Sequence, residues 1–294
     1  MSAAYVEAAR PLTLSAAVAP VLVGTAAAGT IVPWRAAAAL VVALAVQVAV
    51  NYANDYFDGV RGIDTAARVG PRRAVASGLV TPAAMKRAII GALAVAALAG
   101  IALAAVTTWW LLGVGATCFL AAIGYSGGPR PYASAGLGEL FVFVFFGLVA
   151  TVGSTFVQIQ ELTLPSILAA IPVGLLAVAI LVVNNLRDLT TDSAVGKSTL
   201  AVRLGERGTR LLYAGTIVAA FAVLPSLAFA TGRAVAALFA LAALPLAVGP
   251  VRAVLRGAVG VRLIPVLVGT ARLQLVLGAL LAVGLARAVG VELG

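Results

Sequence analysis

Residues 88–129 read AIIGALAVAALAGIALAAVTTWWLLGVGATCFLAAIGYSGGP, without one Asp, Glu, Lys or Arg. About 20 apolar residues cross a bilayer as a helix, so this run is long enough for two crossings. Outward from it, uncharged runs recur at Pro11–Trp34, Ala36–Asn54, Leu140–Gln160, Leu162–Leu186 and Leu211–Gly232. Of the 294 residues, 63% are hydrophobic and 10% charged, against roughly 45–50% and ~25% in an ordinary globular domain. The fold class is therefore all-α: a polytopic membrane protein with nine predicted spans around a central cavity, in a single domain over residues 1–294. The spans are placed at 12–32, 36–56, 84–106, 109–126, 137–157, 165–187, 210–230, 233–250 and 266–287. Small residues follow the first apolar run at Thr25–Gly29, yet the segment before it is barely basic, so it reads as a span and not a cleaved signal.

Charge placement orients the spans. Sorted by connection, 17 of the 20 Lys and Arg fall on the side that holds the N-terminus and the loops after spans 2, 4, 6 and 8, and 3 on the other. Positive residues stay in the cytoplasm, which predicts a multi-pass protein of the cell membrane with N-terminus and functional loops cytoplasmic and the cavity open to that side. The net charge of +10 is read as this topology signal, with membrane lipid as the surrounding partner and no nucleic acid.

The chain has no His and one Cys, Cys118 in an apolar run, which excludes histidine bases, histidine ligands, an intrachain disulfide and a cysteine metal cluster. The ten Asp and Glu are informative because half of them fall in two segments. Asn51-Tyr52-Ala53-Asn54-Asp55-Tyr56-Phe57-Asp58-Gly59-Val60-Arg61-Gly62-Ile63-Asp64 closes span 2, and Asn184-Asn185-Leu186-Arg187-Asp188-Leu189-Thr190-Thr191-Asp192 closes span 6. On a helix Asn51, Asp55 and Asp58, and likewise Asn184, Asp188 and Asp192, share one face. Carboxylates at the end of an apolar span are expensive and mark function. Hard oxygen donors suit Mg²⁺, which binds through one or two carboxylates plus substrate phosphate oxygens. Two acidic faces across one cavity are thus expected to hold a diphosphate through metal ions.

Of the basic residues that follow, Lys197 and Arg130, then Arg61 and Arg72, are the candidates to grip phosphate oxygens as charge builds on a leaving diphosphate. Gly196-Lys197-Ser198 lacks the earlier glycine of a nucleotide-binding loop, since Thr191 stands there. The loop Gly124-Tyr125-Ser126-Gly127-Gly128-Pro129-Arg130-Pro131-Tyr132 reads either as a tight reversal or as a cavity lining. Phe141, Phe143, Phe145 and Phe146 read either as core and lipid contact or as the wall of a channel for a long isoprenoid.

At these segments the sequence resembles the UbiA superfamily of intramembrane aromatic prenyltransferases, whose signature is two Asp-rich motifs at the cytoplasmic ends of the second and sixth of nine helices. More narrowly it is similar to the 1,4-dihydroxy-2-naphthoate prenyltransferases, through Ala9-Arg10-Pro11-Leu12-Thr13, Pro20–Thr25, Tyr125–Pro129, Gly136–Leu140 and Asn184–Gly205. The resemblance runs from Arg10 to about Gly205. It implies transfer of a polyprenyl chain from polyprenyl diphosphate to 1,4-dihydroxy-2-naphthoate, with loss of the ring carboxylate and of diphosphate, giving demethylmenaquinol in menaquinone synthesis. It further implies that Asn54, Asp55 and Asp58, with Asp188 and Asp192, hold Mg²⁺ and the diphosphate; by their place in the two segments and in the loop after span 4, Asn51, Asn184, Asn185 and Tyr125 are read as substrate contacts. Asp64 would orient the aromatic substrate or bind metal. Asn184 stands where the simplest pattern has an acid. The other readings are a different acceptor, such as 4-hydroxybenzoate or homogentisate, and an ion-coupled transporter. A transporter places its charges near the bilayer midplane, whereas these acids lie at span ends. Prenyl chain length and oligomeric state are not written in the sequence.

Overall fold

A computed structural model describes residues 3–63, 70, 72–232, 234–289 and 292–293. Among them the chain is almost wholly helical, and a helix lies within each of the nine expected spans. A short α1 (Ala3–Ala8) and a 3₁₀ turn (Pro11–Thr13) lead into α2 (Ser15–Ala27), followed by α3 (Pro33–Val60), α4 (Pro82–Val106) and α5 (Trp110–Gly124). The fifth span is composite, with α6 (Gly138–Val142) passing through a π-helical stretch (Phe143–Val149) into α7 (Ala150–Ile159). Then come α8 (Leu164–Ala194), α9 (Leu200–Ala222), α10 (Leu224–Thr231), α11 (Ala234–Leu241), α12 (Leu244–Leu255) and α13 (Ile264–Val289). Thr30–Ile31 pairs in parallel with Glu292–Leu293.

Six helical segments are long and apolar enough to cross a membrane, and eight if the bent pairs Ala3–Thr13 with Ser15–Ala27 and Ala234–Leu241 with Leu244–Leu255 each count as one. The segment α5 has 15 residues, or about 22 Å at 1.5 Å per residue, and is shorter than the span expected there. It stops at the glycine-rich loop on one side and at Trp109 on the other. Large apolar side chains such as Leu98, Leu120, Val218 and Phe229 are exposed on the outside, as lipid contact requires.

The helix α8 is the axis of the molecule. Its 31 residues extend about 46 Å, well beyond the ~30 Å hydrocarbon core, so the segment from Asn184 onward lies past its apolar part. Around it Leu176, Val182 and Val183 pack with Ala19 and Val23 of α2, Tyr213 and Ala220 of α9, and Leu273, Leu277, Leu281 and Leu285 of α13. A second cluster ties α3 to α4 through Tyr52, Ala53, Met85 and Ile89. Close helix crossings need small residues: a Cβ on Gly147 would stand 2.7 Å from the Gly174 Cα. At Gly24 the Thr155 hydroxyl donates to the backbone carbonyl at 2.6 Å. At the far end, Arg35 donates to the carbonyls of Val157 and Gln158, both at 3.1 Å, joining α3 to α7.

Candidate active site

Between the two clusters lies a cavity of about 510 Å³, walled by α3, α4, α5, the composite fifth span and α8. Most of its wall is apolar: alanines and valines of α3 and α4, Phe119 of α5, and Phe141, Phe145 and Phe146. Phe143, by contrast, lies against Gly174 on the packed side. Tyr132 stacks on Phe141 at 3.9 Å, and Phe141 on Phe145 at 5.9 Å. Burial pushes the Tyr132 phenol above its ordinary range, and it stays a donor, to the Ala121 carbonyl at 2.7 Å.

One end of the cavity is polar. From α3 come Gln47, Asn51, Asn54 and Asp58, and from α8 Asn184, Asn185, Asp188 and Asp192, each set repeating at three and four residues as one helix face does. Asp58 and Asp188 are buried, and each faces a cation. Lys197 Nζ stands 3.1 Å from Asp58 and 3.7 Å from Asp192, so one ammonium bridges the two segments across the cavity. Arg73 lies 3.6 Å from Asp58. Arg187 grips Asp188 with two bonds of 2.8 Å and reaches Asn184 at 2.9 Å. Asn54 accepts from the Ser126 hydroxyl, and Asn185 donates to Glu139 at 3.0 Å.

Several expected site residues lie elsewhere. Asp55 does not line the cavity: its two oxygens accept from the amides of Ala74 and Val75 at 2.9 and 2.8 Å, pinning the loop after α3. Arg61 clamps the carbonyls of Ser126 and Gly128, both at 2.7 Å, and lies over Phe57. Arg72 is exposed and donates its backbone amide to Glu7 at 3.0 Å. Arg130 is exposed and outside the cavity wall. Asn51 lines the wall but donates to the Ala9 carbonyl at 2.8 Å. Asp64 lies outside the described residues.

The donors at the polar end are oxygens: the Asn54 amide and the Asp58, Asp188 and Asp192 carboxylates. Among the described residues no three of Cys, Asp and Glu come close enough to hold an ion by themselves. Such a set fits Mg²⁺ shared between a few carboxylates and phosphate oxygens.

Residues 17–258 match the UbiA prenyltransferase family. The chain belongs to that family. It is 46% identical over 277 residues to the 1,4-dihydroxy-2-naphthoate octaprenyltransferase of Mycobacterium tuberculosis (strain ATCC 25618 / H37Rv), covering 93% of this chain and 94% of that one. The enzyme of the same name from Escherichia coli (strain K12) is 43% identical over 220 residues, 72% of this chain and 71% of the relative. Among solved structures, a UbiA homolog from Aeropyrum pernix K1 superposes with a TM-score of 0.74 at 16% identity, over 92% of this chain and 97% of that one. A UbiA homolog from Archaeoglobus fulgidus bound to GPP and Mg²⁺ gives 0.65 at 14% identity, over 95% and 99%. The UbiA fold thus brings the two Asp-rich segments to one cavity. Sequence reasoning gave no site role to Arg10, Thr13, Gln47 and Arg73, which line its wall. Gln47 was legible, since it continues the 51, 54, 58 stripe by one helical turn.

Proposed function

We propose that this UbiA family member transfers a polyprenyl group from polyprenyl diphosphate to 1,4-dihydroxy-2-naphthoate, with loss of the ring carboxylate, in menaquinone synthesis. Nine crossings, one domain over residues 1–294 and a cytoplasmic cavity mouth belong to the same reading, with α5 and each bent pair counted as spans. The observation that carries it is the joining of two oxygen-rich segments, centred on Asp58 and on Asp188 with Asp192, to an apolar, aromatic-lined interior. One end suits a diphosphate and the other a hydrocarbon chain.

In this reading Asn54, Asp58, Asp188 and Asp192 hold Mg²⁺. Bound there, the metal supplies Lewis-acid stabilisation of the departing diphosphate. Lys197 and Arg73 supply further positive charge, moving from carboxylate to phosphate oxygens as the leaving group forms. Tyr132, Phe141 and Phe145 keep water from the allylic carbon and face a developing cation with aromatic surface. The ring carbon that bears the carboxylate forms the new C–C bond while the C–O bond to diphosphate breaks. The carboxylate then leaves as CO₂, its bonding pair restoring the aromatic ring.

The test is mass spectrometry of products made by purified protein from a polyprenyl diphosphate with either 1,4-dihydroxy-2-naphthoate or 4-hydroxybenzoate, with Mg²⁺ or chelator. A decarboxylated prenyl-naphthoquinol, or the quinone that oxygen of the air makes from it, formed only with the naphthoate and Mg²⁺ is expected. Product with the benzoate alone overturns the acceptor, and no product with either overturns the reaction.

A further inference from the structure

Four carboxylates are buried among the described residues: Asp55, Asp58, Glu139 and Asp188. Asp55 holds two loop amides, Asp58 faces Lys197 and Arg73, and Asp188 is gripped by Arg187. Glu139, at the start of α6, differs from these. Among the described residues it forms no ion pair, and its side-chain partner is Asn185 of α8, whose Nδ2 donates to Oε1 at 3.0 Å. A buried carboxylate without a cation is costly and marks a functional position.

That carboxylate decides which way the Asn185 amide points. An ionised carboxylate only accepts, so the NH₂ of Asn185 is held toward Glu139 and the carbonyl is turned away from it. No described residue donates to Asn185 Oδ1, and the atom is not shut off inside the packing. Asn185 lines the cavity, so this carbonyl opens onto it. The neighbouring Asn184 is set in the opposite sense, because Arg187 donates to its Oδ1 at 2.9 Å and an arginine only donates.

The same element supplies aromatic wall. Phe141, two residues beyond Glu139, stacks on Tyr132 at 3.9 Å, and Tyr132 meets Tyr125 edge-on at 5.4 Å. A Cβ on Gly138 would stand 3.7 Å from the Tyr125 ring. An aromatic ring seated against these side chains has Asn185 beside it. A carbonyl oxygen with a carboxylate behind it repels a diphosphate or an aryl carboxylate and calls for a hydrogen-bond donor. In the acceptor of the proposed reaction, the hydroxyl next to the carboxylate is bonded to it internally, and the hydroxyl across the ring is the free donor.

We infer that Glu139 is a positioning residue that holds the Asn185 carbonyl toward the cavity, where it accepts a hydrogen bond from the acceptor's free ring hydroxyl. This rests on the proposed prenyl transfer and assigns one contact of its acceptor. The hydroxyl takes no part in the bonds that form and break, so its hydrogen bond is alike in the ground and transition states. Loss of the contact therefore raises KM for the acceptor more than it lowers kcat.

The experiment uses two ligands that differ by that hydroxyl alone, 1,4-dihydroxy-2-naphthoate and 1-hydroxy-2-naphthoate. Each is titrated calorimetrically under argon, with Mg²⁺ and without prenyl diphosphate so that nothing turns over, into the wild-type protein and into Asn185→Leu, Glu139→Leu and Glu139→Gln. KM for both substrates and kcat are measured alongside. The wild type binds the dihydroxy ligand about 10-fold more tightly, the scale of one hydrogen bond. Asn185→Leu and Glu139→Leu erase that preference and raise the acceptor KM by a similar factor, leaving the diphosphate KM unchanged. Glu139→Gln keeps the side-chain shape and a carbonyl that still takes the Asn185 NH₂, so it retains part of the preference. Equal weakening of both ligands, a rise confined to the diphosphate KM, or a wild type without preference overturns the inference while the reaction stands. A wild-type protein that makes no prenylated product overturns the reaction, and the contact with it.

Discussion

Asp55 and Asp58 are three residues apart on α3 and do different work. Asp58 lines the cavity and faces Lys197 and Arg73, whereas Asp55 accepts two loop amides. Asp58→Asn is therefore expected to lose about 100-fold or more in turnover, the scale of removing one preorganised electrostatic contact, with hydrogen exchange at Ala74 and Val75 unchanged. Asp55→Asn sets an amide NH₂ against a backbone N–H and leaves one donor unsatisfied, which costs about 1–3 kcal/mol. It should lower the melting temperature in detergent and speed hydrogen exchange at Ala74 and Val75. Equal exchange rates at Ala74 and Val75 in the two variants would reject this division. The sequence groups Asn51, Asp55 and Asp58 on one face, and the wall instead takes Gln47, Asn51, Asn54 and Asp58. Spacings of three and four both satisfy one helix face, and the choice between Asn54 and Asp55 was made by loop amides some twenty residues on, which no local pattern announces. On α8, Asn184, Asp188 and Asp192 all line the wall.

At the scale of elements, uncharged runs locate the helices because charge is what a bilayer excludes, and the runs from 36, 88 and 162 correspond to helices in place. Of their irregularities one was not legible and one was passed over. The π-helical stretch Phe143–Val149 lies in uniformly apolar sequence, where composition is the same on either side of the defect, whereas the break between Leu241 and Leu244 is marked by Pro245 in the first turn of α12. Packing explains the first. Gly147 and Gly174 meet so closely that a Cβ on Gly174 would stand 2.9 Å from the Gly147 Cα and 3.0 Å from the Phe143 ring. Gly174→Ala therefore overpacks the crossing of α8 with the fifth span, at about 1–3 kcal/mol. Gly215 of α9 has open space where a Cβ would go, and alanine is the better helix former. Thermal melts should show Gly174→Ala lower than wild type and Gly215→Ala equal or higher. The reverse order would remove the crossing as the reason for glycine at 174.

Over the whole molecule, two independent signals mark the ends of the bundle. With the nine crossings proposed above, 17 of the Lys and Arg fall on the side of the N-terminus and the Asp-rich segments, and 3 on the other. Trp34 opens α3 at the end away from Asp58, and Trp109 and Trp110 lie where α4 has returned to that same end. All three are exposed, as in the aromatic belt of a membrane interface. A belt is found at either face, so it fixes depth, while the charge bias fixes direction. The two signals together predict that Leu162, 71% exposed between α7 and α8, faces outward, and that Ser77, in the exposed loop after α3, faces the cytoplasm. With Cys118 replaced by alanine, Leu162→Cys should react with a membrane-impermeant maleimide on intact cells. Ser77→Cys should react only after the membrane is opened. The opposite pattern would put the acidic end of the cavity on the outer face, and the asymmetry of the cations would then have to come from phosphate binding alone. That account fails on position, because Arg252, Arg256 and Arg262 lie on the charged side yet outside the cavity wall.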